Sequence, residues 1–302
     1  MDESQPILQM TGIVKTFYVR NRLQRVPVRA LDDVDVVLRR GKVLGIIGES
    51  GSGKSTLANI IMGLETPDAG TMLFDGAAVD LHAKRSSQRA LRAIQVVFQD
   101  PYSSLNPRMR VKALLREPLR HERFDRSQDF VQRCVSLLEM VGLPASALEK
   151  YPHQFSGGQR QRIAIARALA MNPKVLVCDE AVSALDVSIQ AQILALLIDL
   201  KERLGLSIVF IAHGLNAVER ISDDVVVMNL GKVVEHGPAG VVLQNPATDY
   251  TKKLVEISRD IVPFTLVPGE GGVPPRTEVL AAISEAVRVV PASRRTWRRK
   301  KW

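Results

Sequence analysis

The chain has 302 residues, 46% of them hydrophobic and 24% charged, which suits a globular protein with a full core rather than a disordered or fibrous chain. No apolar run approaches the roughly 18 residues that span a bilayer, and the polar, acidic start Met1-Asp-Glu-Ser-Gln-Pro6 is no secretory signal, so a soluble or peripheral protein is expected. The formal charge is +9, yet seven basic residues and no acidic one fall between Ala286 and Trp302, so basicity is largely a property of the tail and argues weakly for nucleic-acid binding.

In chain order, Ile7 to Val14 and Val28 to Leu38 read as strands, the second through its alternating Val34, Val36 and Leu38. A basic stretch, Arg20, Arg22, Arg25 and Arg29, lies between them and follows Phe17 and Tyr18, one of which could stack on a flat base.

The apolar run Val43 to Ile47 leads into Gly48-Glu49-Ser50-Gly51-Ser52-Gly53-Lys54-Ser55-Thr56, and Leu57 to Met62 then reads as a helix. Strand, glycine-rich turn and helix start form the context in which G-x-x-x-x-G-K-[ST] cradles phosphate. Glycines let backbone N–H groups approach phosphate oxygens, and the helix N-terminus adds unpaired donors and partial positive charge. Lys54 can reach the β- and γ-phosphates, and the Ser55 hydroxyl can ligate Mg²⁺. This stretch marks a nucleotide site.

Thr71 to Phe74 and Ile94 to Phe98 are strand-like, and Gln99 follows the second. Breaks at Pro101 and Pro107 change the pattern, and from Val111 to Gly142 it is helical, with Val131, Val135, Leu138 and Val141 on one face. This stretch reads as a helical insertion rather than a further βα unit. Ser156-Gly157-Gly158-Gln159 then opens a helix over Arg160 to Ala170, a second possible anion site.

Val175 to Cys178 are apolar and end in Asp179-Glu180; Asp at the C-terminal edge of a strand beside a phosphate loop is placed to hold Mg²⁺. Ser183-Ala-Leu-Asp186 precedes a helix over Val187 to Leu204, and the apolar strand Leu206 to Ala212 is closed by His213. Val225 to Asn229 and Lys232 to Glu235 suggest a closing hairpin about Leu230-Gly231. Strands alternating with helices imply a parallel sheet covered on both faces. The two cysteines, Cys134 and Cys178, lack metal-ligand or CxxC spacing, and Cys178 reads as a small buried hydrophobe.

Past Pro263 the composition changes. Pro268 to Pro275 is a linker, Thr277 to Val290 carries apolar residues at helical spacing, and the basic end from Arg294 to Trp302 comes last.

The order of Gly48–Thr56, Gln99, Ser156–Gln159, Asp179–Glu180, Asp186 and His213 resembles the ATP-binding subunit of an ABC transporter over about residues 7–256. Finer stretches, Phe98 to Arg108, Tyr151 to Gln159 and Ser183 to Gln192, are similar to the dipeptide, oligopeptide and nickel importer group. So is Asn245-Pro-Ala-Thr-Asp-Tyr-Thr251, where the group usually has His-Pro before Tyr-Thr.

The resemblance implies a P-loop NTPase over 7–260, with a RecA-like parallel sheet core, an antiparallel β subdomain and a helical subdomain at about 100–158. It leaves 261–302 as linker, amphipathic helix and basic tail. It further implies ATP and Mg²⁺ as cofactors, with Phe17 on adenine, Ser55, Gln99 and Asp179 around the metal, Glu180 activating water, and His213 sensing the γ-phosphate. Ser156 to Gln159 would face ATP held by a second ATPase subunit, with Asp186 beside it. Implied partners are that second subunit, as homo- or heterodimer, transmembrane permease subunits and, indirectly, a solute-binding protein, at the cytoplasmic face of the inner membrane, with no nucleic acid. Peptide import is favoured, with nickel or metal-chelate import as the alternative and a soluble ABC ATPase outside transport as a lesser one, and no iron–sulfur cluster is expected. Ala181 stands where many relatives have Pro, and Gly214 where Asp often follows the histidine.

Overall fold

In the computed structural model, four buried strands carry the fold, and each divides its side chains between two cores. The structure describes residues 5–21, 24–82, 92–100, 104–120, 127–183, 185–212 and 214–261. The chain divides into two compact units, 1–262 and 263–302; the expected linker, helix and basic tail lie outside the described residues, as does His213.

The larger sheet holds β3 (Val43–Ile47), β6 (Ile94–Val97), β7 (Val175–Asp179), β8 (Ser207–Ile211), β9 (Asp224–Asn229) and β10 (Lys232–Pro238). Its order is β10-β9-β3-β8-β7-β6, parallel except for the β9–β10 pair. That pair is the hairpin expected about Leu230-Gly231. The central strands are near-continuous apolar runs because both faces are covered. Cys178 and Phe210 point into one core, Val177 and Val209 into the other, as the period of two requires.

A smaller antiparallel sheet, in the order β2-β1-β4-β5, comprises β1 (Pro6–Asn21), β2 (Gln24–Arg39), β4 (Ala69–Phe74) and β5 (Ala77–Val79). Val34, Val36 and Leu38 are buried while Val37 is exposed, which bears out the alternation seen in the sequence. This sheet shares one core with α1 (Lys54–Ile61) and one face of the larger sheet. Asp75, in the β4–β5 turn, pairs with both Arg40 and Lys174, and so ties the smaller sheet to the entry of β7.

The other core joins the opposite face of the larger sheet to the remaining helices. The expected helical insertion is α2 (Val111–Leu119) and α3 (Ser127–Met140), followed by 3₁₀ turns at Ala145–Glu149 and Pro152–Gln154. Of the face read from the sequence, Leu138 and Val141 are fully buried, and Val131 and Val135 pack against the same core. Next come α4 (Gly157–Leu169) and α5 (Val187–Leu204). Gly205 in the left-handed region stops α5, and Lys201 and Arg203 in its last turn complement the helix dipole. The chain continues through α6 (Leu215–Ile221), α7 (Ala239–Gln244) and α8 (Asp249–Ile261).

The strands differ from expectation chiefly in β1 and β2, each 16 residues long, which extend into the basic stretch and stay paired as far as Asn21 and Gln24. The helix after the glycine loop begins at Lys54, earlier than its apolar residues suggest. No described helix is long and apolar enough to cross a membrane.

Candidate nucleotide site

The site forms where β3, β7 and β8 end at one edge of the sheet. Ile46 and Asp179 both pair with Ile211, and Glu180 N donates to Ile211 O at 2.9 Å. The glycine loop therefore emerges at the same edge as Asp179 and Glu180.

Gly48 has φ 151°, and a Cβ there would lie 2.2 Å from Met228 O, so only glycine fits beneath the loop. Ser52 N closes a turn onto Glu49 O at 3.2 Å. From outside, Gly231 N of the β9–β10 turn donates to Ser52 O at 3.0 Å, and Asp32 N donates to Gly231 O at 2.8 Å.

Lys54 is 4% exposed, with its ammonium folded into the loop. Nζ donates to Gly48 O at 2.7 Å and Glu49 O at 2.8 Å, with Ser52 Oγ at 3.4 Å. Burial lowers its pKa, while the charges of Glu180, Asp179 and Glu49 pull it back up. A cation seated in a glycine loop and facing two strand-end carboxylates is suited to phosphate with a divalent ion.

Glu180 has φ 51°, in the left-handed region a residue with a Cβ rarely adopts. Such a conformation costs roughly 1–3 kcal/mol and persists where its surroundings hold it. Here Ser183 supplies that hold, because its N and its Oγ both donate to Glu180 O, at 3.1 and 3.0 Å. Gln99 Nε2 in turn donates to Ser183 Oγ at 3.1 Å. With its NH₂ engaged there, the Gln99 amide oxygen is left as an acceptor. Ser55 hydroxyl, Gln99 amide oxygen and Asp179 carboxylate are hard oxygen donors, a set that fits Mg²⁺ completed by phosphate and water.

The structure thus gathers Lys54, Glu49, Asp179 and Glu180 about one loop, and joins Gln99 to them through Ser183. Thr56 and Ser55 lie in the first turn of α1, and Ser50 and Gly51 at the exposed tip of the loop. Phe17 lies in β1 opposite Val28 and is 37% exposed, with Lys15 Nζ 5.2 Å from its ring centroid; Tyr18 is 68% exposed.

Ser156 to Gln159 form the N-terminus of α4 as a capping box: Gln159 N donates to Ser156 Oγ at 3.3 Å and Ser156 N to Gln159 Oε1 at 3.1 Å. Both side chains are exposed, whereas Gly158 is buried against Ile189 of α5, whose Cγ2 would sit 2.5 Å from an added Cβ. Gly158 is therefore a packing glycine. Asp186 caps α5, accepting from Ile189 N and Ser188 Oγ at 2.9 Å each, and these bonds, the Ile189 N–H first, hold its carboxyl below the usual range.

Ser183, which links Glu180 to Gln99, is marked in the sequence only by its place three residues after Glu180. Gln161, fully buried and donating through Nε2 to Phe98 O at 3.4 Å, also ties α4 to the Gln99 segment, and no local pattern marks it.

The family model described as ABC transporter matches residues 31–183, which contain the glycine loop, Gln99, Ser156–Gln159 and Asp179–Glu180.

The chain belongs to the ABC transporter family.

Among curated relatives of this ABC protein, the dipeptide transport ATP-binding protein DppF of Haemophilus influenzae is 45% identical over 265 residues, covering 86% of this chain and 80% of that protein. The glutathione import ATP-binding protein GsiA of Salmonella typhimurium is 46% identical over 257 residues, 84% of this chain; the chain spans 41% of that protein's length. A putative peptide import ATP-binding protein of Brucella abortus is 43% identical over 275 residues, 89% of this chain and 82% of that protein. Of solved structures, the dimeric ATP-binding cassette MJ0796, in a post-hydrolysis state bound to ADP and Pi, has TM-score 0.68 and 28% identity, covering 77% of this chain and 98% of that one. CbiO1 of Clostridium perfringens, part of the ABC transporter complex cbiONQ, has TM-score 0.70 and 28% identity, covering 85% and 96%. These likenesses agree with the P-loop fold expected from the sequence.

Proposed function

We propose that this chain binds Mg-ATP at the glycine loop and hydrolyses it to drive a membrane importer of di- or oligopeptides. The observation that carries the reading is the Lys54 ammonium, buried against Gly48 O and Glu49 O and faced by Asp179 and Glu180. Phosphate oxygens are the anionic partners that this cation and the backbone N–H groups of the loop suit. The peptide cargo rests on the dipeptide and peptide import relatives.

Within that reading the residues divide the work. Lys54 and the N–H groups of Gly48 to Thr56 bind the β- and γ-phosphates, and Phe17 stacks on adenine. Ser55, Gln99 and Asp179 hold Mg²⁺, which supplies charge neutralisation at the phosphoryl group. Glu180, fixed through its carbonyl by Ser183, orients or deprotonates the attacking water. His213 contacts the γ-phosphate.

Ser156 to Gln159, at the exposed, capped N-terminus of α4, meet ATP held by a second ATPase subunit in this reading, with Asp186 at the same junction. The MJ0796 cassette is dimeric in its solved structures, which supports this arrangement. Two sites then close across the pair, and hydrolysis removes the phosphate that bridged them. Permease subunits would bind at the Gln99 segment and helical insertion, holding the chain peripherally at the cytoplasmic face of the membrane.

The test uses the transporter purified with its permeases in liposomes. Glu180→Gln should retain ATP binding and lower hydrolysis and peptide uptake by about 10²-fold or more, the scale of a lost general base. Hydrolysis at the wild-type rate would remove Glu180 from the mechanism, and peptide-independent turnover with no uptake would remove the cargo.

A further inference from the structure

The phosphate loop is braced from α8, near the far end of the described chain. Glu49 N donates to the Tyr250 hydroxyl at 3.1 Å, across 201 positions of sequence. Tyr250 is the second residue of α8 and packs against the core on the helical side of the larger sheet.

A built bracket sets its position. Glu235 of β10 accepts from Ala247 N at 2.8 Å, and from Thr248 N and Thr248 Oγ1 at 3.0 Å each. Thr248 Oγ1 shares a further hydrogen bond of 2.8 Å with Thr251 Oγ1 and accepts from Thr251 N at 3.2 Å. Thr251 is fully buried. Burial works against ionisation of Glu235, but the bonds from Ala247, Thr251 and Thr248 outweigh it and hold the carboxyl below its usual range. The first turn of α8 is thus fastened to β10 by a carboxylate, and Tyr250 is carried on that turn.

The peptide unit that Tyr250 touches is one of the two whose carbonyls hold Lys54. Gly48 O, at one end of the Gly48–Glu49 peptide, accepts from Lys54 Nζ at 2.7 Å; Glu49 N–H, at the other, donates to Tyr250. Because the peptide is planar and rigid, fixing the N–H fixes the direction of the carbonyl. Gly48, free of a Cβ, does little by itself to prevent that plane from rotating. We infer that Tyr250 is a positioning residue for nucleotide binding: its hydroxyl holds the Gly48–Glu49 peptide, and through that peptide the Lys54 ammonium, in place. The inference rests on the reading of the loop as an ATP site.

The test compares ATP affinity, by equilibrium titration of the full chain, for wild type, Tyr250→Phe, Glu235→Ala and Lys54→Ala. Hydrogen exchange of the segment containing the Glu49 amide is followed alongside. Tyr250→Phe keeps the ring, so its thermal midpoint should match wild type. Its ATP affinity should fall about two- to tenfold, the range one hydrogen bond commands, and the Glu49 amide should exchange faster. Glu235→Ala, which frees the bracket but keeps the hydroxyl, should move both readouts in the same direction. ATP affinity and Glu49 exchange unchanged in Tyr250→Phe, with Lys54→Ala clearly weakened, would overturn the role of Tyr250 alone. Lys54→Ala binding ATP as well as wild type would overturn the ATP reading, and the inference with it.

Discussion

Gln99 and Ser183 meet across 84 positions of sequence, Gln99 Nε2 donating to Ser183 Oγ at 3.1 Å, while the same hydroxyl donates to Glu180 O at 3.0 Å. One serine therefore orients the amide proposed to face Mg²⁺ and steadies the backbone of the proposed catalytic glutamate. Ser183→Ala should raise the Mg²⁺ concentration for half-maximal hydrolysis about two- to tenfold, since one net hydrogen bond is worth about 0.5–1.5 kcal/mol. A Mg²⁺ titration at fixed ATP measures it, and an unchanged midpoint would deny the orienting role.

Gly48→Ala should fail in both folding and binding. Its Cβ would sit 2.2 Å from Met228 O at a φ of 151°. A residue forced into an incompatible backbone conformation costs more than about 1 kcal/mol. Thermal denaturation with and without ATP tests this; a wild-type midpoint and wild-type affinity would show that the loop tolerates the side chain.

Both thiols should be silent in the native protein. Burial pushes Cys178 up to about 12 and Cys134 up to about 11, and the thiolate is the reactive form. Iodoacetamide at pH 8 should label neither until denaturant is added. Prompt labelling of either would mean that its surroundings open readily.

Acid should weaken the link between the two sheets. Hydrogen bonds from Lys174 and then Arg40 hold Asp75 below the ordinary aspartate value of 3.8. Its stabilising contribution is thus fully present above that value and is lost as pH falls through the lower folded value. The thermal midpoint should fall with pH in that window, and Asp75→Asn should flatten the slope. An equally steep slope in the variant would place the acid response elsewhere.

Phe210, fully buried in β8, should be a costly core truncation. Phe210→Ala should lose about 3–5 kcal/mol in urea unfolding. A loss below about 1 kcal/mol would mean that the core collapses around the gap.

The sequence made the sheet strands legible where burial on both faces produced unbroken apolar runs, as at β3, β7 and β8. It did the same for α5, whose ends are marked by Asp186 and Gly205. It made the outer ends of β1 and β2, past Val14 and before Val28, illegible, because Tyr18, Val19 and Val26 are exposed there and alternation carries no signal without a buried face. Lys54, Asp179 and Glu180 lie in short motifs whose residue types the chemistry dictates. Ser183, Gln161 and Tyr250 act through partners 84, 63 and 201 positions away, and only the folded chain brings those partners within reach.

The β9–β10 turn would pass for a harmless place to cut or extend the chain: Leu230 is 81% exposed at a hairpin tip. Such tips usually accept insertions and new termini. Here the next residue, Gly231, is hydrogen-bonded to Ser52 of the phosphate loop on one side and to Asp32 of β2 on the other. A reporter or tag spliced in at 230–231, or a circular permutation opened there, would sever the loop's outer support. The exposed knuckle of this hairpin is thus closed to grafting, and fusions belong elsewhere on the molecule.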